Sequence, residues 1–213
     1  MTAMKHAARV ALVAFSAASW ACGGDTPAPQ PQDDTSPEPA GVYGQAPTPS
    51  QGIPSVVTLR PVSGDSSAPP AEVALLDQLG LAFTPKELVV RVGQPLEIAN
   101  SETLAHNVHL TFIDNDSSVF IADMDPADRT TLTLDMEGGY DVVCDVHPGM
   151  RAFIYVTSAP YAAFADQDGR FLISGVPEGS YTASVWSASA DLRSTRTIQV
   201  SGSSTELDLS SSR

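Results

Sequence analysis

Cysteine and positive charge are what this 213-residue chain has least of. It holds two cysteines, Cys22 and Cys144, too few for a disulfide-stapled scaffold or an all-cysteine zinc site. Eleven Lys and Arg stand against 25 Asp and Glu, a formal charge of −14. A polyanion of that size is a poor ligand for nucleic acid or anionic lipid headgroups. No long amphipathic helix is visible, and 17 Pro with 15 Gly argue against a helical bundle. The apolar run Val10 to Ala18 covers nine residues, where a bilayer-spanning helix needs about 20.

That run has a different use. Lys5 and Arg9 precede it, and small residues follow it into Ser19-Trp20-Ala21-Cys22-Gly23-Gly24, which reads as a secretory signal over residues 1–21. The segment resembles a bacterial lipoprotein signal, in which the cysteine is lipidated and becomes the first mature residue. That resemblance implies Cys22 as the lipidation site, the only link to a membrane. Such signals usually carry Leu three residues before the cysteine, where this chain has Ser19. Ser19 and Ala21 also satisfy a small-x-small peptidase site, so plain secretion stays open. Either route predicts export, to the periplasm or cell surface. Without residues 1–21 the chain keeps nine basic and 25 acidic residues, a net charge of −16. Residues 22–54 hold eight of the 17 prolines and no Lys or Arg. Residues 22–40, the core of that stretch, cannot bury apolar surface and are expected to be a solvated tether.

Beyond the tether the chain reads as all-β. Runs of four to seven residues with alternating or β-branched character recur at Val56–Arg60, Glu87–Val92, Leu96–Asn100, Asn107–Phe112, Thr130–Asp135, Tyr140–Cys144, Ala152–Thr157, Arg170–Ile173, Tyr181–Trp186 and Thr195–Val200. Gly, Pro, Asp and Asn separate them at the spacing of β-sandwiches. The stretch Leu75 to Leu81 suggests a helical turn, limited by Gly80 and Pro85.

One constellation carries chemistry. In Tyr140-Asp-Val-Val-Cys144-Asp-Val-His147-Pro-Gly-Met150 a thiol, an imidazole and a thioether fall at i, i+3 and i+6. A strand ending at Cys144, a turn through Pro148-Gly149 and a new strand from Arg151 would aim all three at one spot. Upstream, His106 opens a strand that could lie beside Cys144. Two imidazoles, a thiolate and a weak thioether are the ligand set of a blue-copper electron-transfer site. His109, three residues on, belongs to the opposite face of the strand. Read singly, Cys144 could be a small buried hydrophobe or a partner for Cys22, Met150 could fill a core, and zinc also accepts sulfur and imidazole.

The stretch resembles the cupredoxins, most of all the amicyanin and plastocyanin group. FTPKELVVRVGQPLEIAN looks like that group's opening strands, HNVHL like its first-ligand strand, and YDVVCDVHPGMRAFIYV like its ligand loop and final strand. The two-residue gap between His147 and Met150 is the short, amicyanin-type loop. The resemblance implies a Greek-key β-sandwich over residues 71–157 holding one type 1 copper, with His106, Cys144 and His147 as equatorial ligands and Met150 as the axial one. It implies that Asn107 ties the ligand loop to the first-ligand strand. It also implies a single-electron carrier rather than an enzyme, with the edge of His147 as its electron port. The partner would be an unidentified redox protein, and a basic one would suit Asp114, Asp116, Asp123, Asp125, Asp128 and Asp145. Those acids could equally serve only turns and solubility. A calcium site at Asp114-Asn115-Asp116 lacks the bidentate Glu such loops use.

Residues 158–213 contain ADQDGRFLISGVPEGSYTASVW, which resembles a carboxypeptidase-regulatory-like or transthyretin-like β-sandwich. About 55 residues are thin for such a fold, and residues 41–70 look like its missing first strands. The expected architecture is therefore a cupredoxin inserted in a split β-sandwich, with a simple serial order as the rival. Asp166-Gln-Asp168-Gly169 reads as a hairpin turn. Two other functions stay open: envelope copper capture or storage, and adhesion or assembly with a vestigial copper loop.

Overall fold

The structure, a computed structural model, describes residues 41–63, 68–202 and 204–211. The signal segment, Cys22 and the tether lie outside the described residues. Sixteen strands follow one another: β1 (Val42–Gln45), β2 (Val56–Pro61), β3 (Ala74–Gln78), β4 (Phe83–Thr84), β5 (Glu87–Arg91), β6 (Pro95–Asn100), β7 (His106–Phe112), β8 (Ser117–Met124), β9 (Arg129–Thr133), β10 (Gly138–Val143), β11 (Arg151–Thr157), β12 (Tyr161–Phe164), β13 (Arg170–Ile173), β14 (Gly179–Trp186), β15 (Ser194–Val200) and β16 (Thr205–Asp208). Among the described residues only a one-turn 3-10 helix, Ala190–Leu192, departs from strand and loop.

Four sheets pair into two β-sandwiches. In the first, a five-stranded sheet ordered β5-β11-β10-β7-β8 faces a four-stranded sheet ordered β4-β3-β6-β9. Alternation drives it: Val108, Leu110 and Phe112 of β7 meet Tyr140 and Val142 of β10, and Leu96 and Ile98 of β6, in one buried core. Cys144 and Met150 lie in that same core. In the second sandwich the sheets are β13-β1-β16 and β12-β2-β14-β15. Strands β1 and β2 precede the first sandwich in the chain, yet they pair with β13, β16, β12 and β14, which follow it. Val42, Leu59, Phe171, Tyr181 and Leu207 share its separate core.

Residues 75–81 correct the expected helical turn. Leu76 and Gln78 alternate inward on β3, which runs parallel to β6 and antiparallel to β4. The chain then turns at Gly80 and Leu81, both at positive φ. Partners on both sides supply the hydrogen bonds that a lone helical turn would have to find within itself.

The two sandwiches are fastened through an aromatic cluster in which Phe153 of β11 meets both Phe164 of β12 and Trp186. Trp186, at the end of β14, stacks on Phe153 of β11 with centroids 5.5 Å apart and touches Tyr155. Ile53 and Val56 close the same cluster. Gly139 of β10 makes the approach possible, because a Cβ there would lie 2.4 Å from the indole ring. Arg193 lies over the indole ring at 4.8 Å and forms a two-pronged pair with Asp114, at 2.6 and 3.0 Å. Burial pushes the Tyr155 hydroxyl up to about 12 and keeps it neutral in the contact. Trp186→Ala should remove about 3–5 kcal/mol of unfolding free energy, and urea unfolding of the mature chain should then show two transitions where the native protein shows one.

Candidate metal centre

The centre sits at one end of the first sandwich, where β7 starts and β10 ends. Local bonding shapes the loop between β10 and β11: Cys144 N–H donates to the Met150 carbonyl at 3.2 Å, and Met150 N–H to the His147 carbonyl at 3.3 Å. Gly149, at φ +99°, takes the left-handed conformation that closes it. This turns the imidazole of His147 back over the thiol. His106 reaches the same point from β7. His147 Nδ1 stands 2.9 Å from His106 Nδ1, and Cys144 Sγ is 3.9 Å from each. His106 is 2% exposed, Cys144 4% and Met150 3%, so the cluster is walled from water except at the His147 edge. Among the described residues, His106, Cys144 and His147 are the group of His, Cys, Asp and Glu side chains whose ligand atoms converge, all within 4.8 Å of one another.

A carboxylate orients the buried imidazole. Glu102 Oε2 lies 2.6 Å from His106 Nε2. The hydrogen on Nε2 then points at the carboxylate and the Nδ1 lone pair points into the cluster. The second Glu102 oxygen accepts the backbone N–H of Gly80 at 2.7 Å and of Leu81 at 3.1 Å. Desolvation pushes this carboxyl up, but the bonds from His106, Leu81 and Gly80 outweigh it and hold it below the usual carboxylate range. Glu102 therefore joins the β3–β4 turn to the first imidazole. Sequence reading passed over it, although its position four residues before His106 was the available signal.

Asn107 binds the loop from the other side. Its Oδ1 accepts the backbone N–H of Asp145 at 2.7 Å, and its Nδ2 donates to Asp145 Oδ2 at 2.9 Å. His109 lies outside the cluster, half-exposed, against Ser118 and Asp145. Of the six acids considered for a partner surface, Asp114 is engaged by Arg193 and Asp123 belongs to β8 rather than a loop. The Asp166 side chain accepts the N–H groups of Asp168 and Arg170, closing a hairpin turn.

The residues present fit a copper ion. Three ligands around one ion, at bonds of about 2.0 Å to nitrogen and about 2.3 Å to sulfur, stand roughly 3.5 Å (N to N) and 3.8 Å (N to S) apart. The observed 3.9 Å from sulfur to each nitrogen matches, while the two nitrogens, at 2.9 Å, stand closer than a bound ion would hold them and would have to part slightly to take it. Two imidazoles and a thiolate are soft enough to favour copper over magnesium or calcium.

A comparison with known families points to the same metal. Residues 72–157 match the family model of copper binding proteins, plastocyanin/azurin family. Among solved structures, a purple cupredoxin from Nitrosopumilus maritimus is similar at 20% identity and TM-score 0.35, over 39% of this chain and 98% of that one. An oxidized point mutant of amicyanin is 27% identical at TM-score 0.36, over 39% of this chain and 81% of that one. The copper-containing nitrite reductase of Thermus scotoductus SA-01 is 22% identical at TM-score 0.37, over 46% of this chain and 25% of that one. No curated protein matches the chain. The matched stretch is similar to the copper-binding domain of the plastocyanin/azurin family. Its cofactor is one copper ion.

Glu102→Gln keeps the volume and removes the charge that orients His106. Competition titration against a copper chelator should show copper affinity weakened about 10–100-fold, with the unloaded fold retained.

Proposed function

We propose that this protein is an exported single-electron carrier, anchored by lipid at Cys22, with its copper held by His106, Cys144, His147 and Met150. The observation that carries the reading is the convergence of two imidazoles and a thiolate in a buried, hydrogen-bonded cage. When bound, copper supplies one-electron chemistry between Cu(I) and Cu(II). The chain's own residues keep the ligand positions fixed: Glu102 sets His106, Asn107 and Asp145 set the loop, and the Cys144–Met150 backbone bonds close it. A site held in this way changes little between oxidation states, which suits rapid electron exchange.

An electron port at His147 is supported by its surroundings. Val146 and Pro148 flank it and are exposed. Leu79, Leu81 and Leu104 are also exposed, and Glu102 ties the turn that bears Leu79 and Leu81 to the first-ligand segment. An apolar rim of this kind favours brief docking of a redox partner, and the net negative charge would steer a basic one toward it. The second sandwich, resembling carboxypeptidase-regulatory-like modules, would serve as a rigid mount between anchor and copper domain. The carrier reading needs no substrate pocket. A copper-containing nitrite reductase is among the similar structures, matched over 25% of that enzyme's chain, so a nitrite assay is the control.

Cu(II) titration of the mature chain tests the reading. We expect a strong thiolate-to-copper visible band, lost in Cys144→Ser, and reversible voltammetry without nitrite turnover. A colourless product removes the carrier function, and irreversible electrochemistry with tight binding would instead indicate copper storage.

A further inference from the structure

His109 takes no part in the metal cluster, yet it is built into the support of the ligand loop. It sits on the solvent face of β7, paired in register with Ile121 of β8 and Val143 of β10. Its Nε2 lies 2.9 Å from Ser118 Oγ. Its Nδ1 lies 3.3 Å from Asp145 Oδ2, the same oxygen that accepts the Asn107 amide at 2.9 Å. Asp145 directly follows the cluster thiol, and its backbone N–H is the other half of the Asn107 tie. One carboxylate oxygen is thus shared between the tie that holds the loop and an imidazole open to solvent.

The neighbourhood isolates that pair. On the same face, Asp123 of β8 stands two register positions away, opposite Asn107. Asp141 of β10 stands opposite Thr111 and is occupied by Arg151 at 2.5 Å. The nearest β8 and β10 partners of His109, Ser118, Ile121 and Val143, carry no charge. Histidine is the side chain whose charge ordinarily changes between pH 5 and 8. When protonated, the imidazole offsets the Asp145 charge beside the thiolate and draws the carboxylate toward β7. When neutral, it no longer offsets that charge. Positive charge close to a redox centre disfavours the more positive, oxidised state, so the potential should fall as pH rises.

We propose that His109, acting through Asp145, is a positioning residue that makes the reduction potential of the copper centre respond to pH. The inference rests on the copper reading above. Its test is voltammetry of the copper-loaded mature chain from pH 5 to 8, as wild type, His109→Gln and Asp145→Asn. Side-chain amide NMR of Asn107 in the copper-free protein runs alongside. In the wild type the Cu(I) to Cu(II) ratio at a fixed applied potential should fall by up to about tenfold across the range, a shift of up to about 59 mV for one electron. Both variants should flatten that dependence. The Asn107 amide resonances should follow pH in the wild type and not in His109→Gln. An unchanged slope in His109→Gln, or amide resonances indifferent to pH in the wild type, would overturn the proposal. A wild type that takes up copper without a blue band would overturn the copper reading and the proposal with it, and that failure is recognised by amide resonances that still follow pH.

Discussion

Holding three electron-rich donor atoms at one point is the constraint around which the rest of this molecule is arranged. Two imidazole nitrogens 2.9 Å apart, with a sulfur 3.9 Å from each, can share a proton without a cation, but the lone pairs that no proton bridges still repel one another. The scaffold must therefore supply the energy that keeps them together. It does so with bonds outside the cluster: Glu102 to His106, Asn107 to Asp145, and the backbone pair that closes the loop from Cys144 to Met150. Each fixes a ligand without competing for its donor atom. This is the arrangement a one-electron centre needs, since small ligand movement keeps the cost of changing oxidation state low.

The second sandwich extends the same rigidity. Strands from before and after the first sandwich in the chain make up its sheets, so the chain enters and leaves the first sandwich from the same second body. The indole of Trp186, seated over Gly139 and stacked on Phe153, prevents the two bodies from sliding. β11 connects this contact to the metal centre, since Phe153 and Tyr155 pack outward on it while Ala152, Ile154 and Val156 face the copper-side core.

How much of this could be read from the chain depended on whether a feature is local. The spacing of Cys144, His147 and Met150 is a property of one loop and so stood out in the sequence; of these, Cys144 and His147 converge with His106. The alternating strands β5, β6, β7, β10 and β11 were legible for the same reason, with ends moved by a residue or two. Leu75, Leu76 and Leu79 carry a helix-like spacing, and only pairing with β4 and β6 made that stretch a strand. β8, an edge strand with Ile121 and Val119 exposed, lacks the buried alternation that marks a central strand. Glu102 escaped because its role needs the fold: its partners Gly80 and Leu81 are more than 20 residues away in sequence. Asp145 was visible only as one acid among many, and the shared bond with Asn107 and His109 gives it a place.

X-ray absorption at the copper edge, on the mature chain in both oxidation states, tests the central claim most directly. A preset cage predicts two nitrogen ligands and one short sulfur ligand in Cu(II), with the same set and nearly the same distances retained in Cu(I). A shell without sulfur, or one that loses or gains a ligand on reduction, would contradict it.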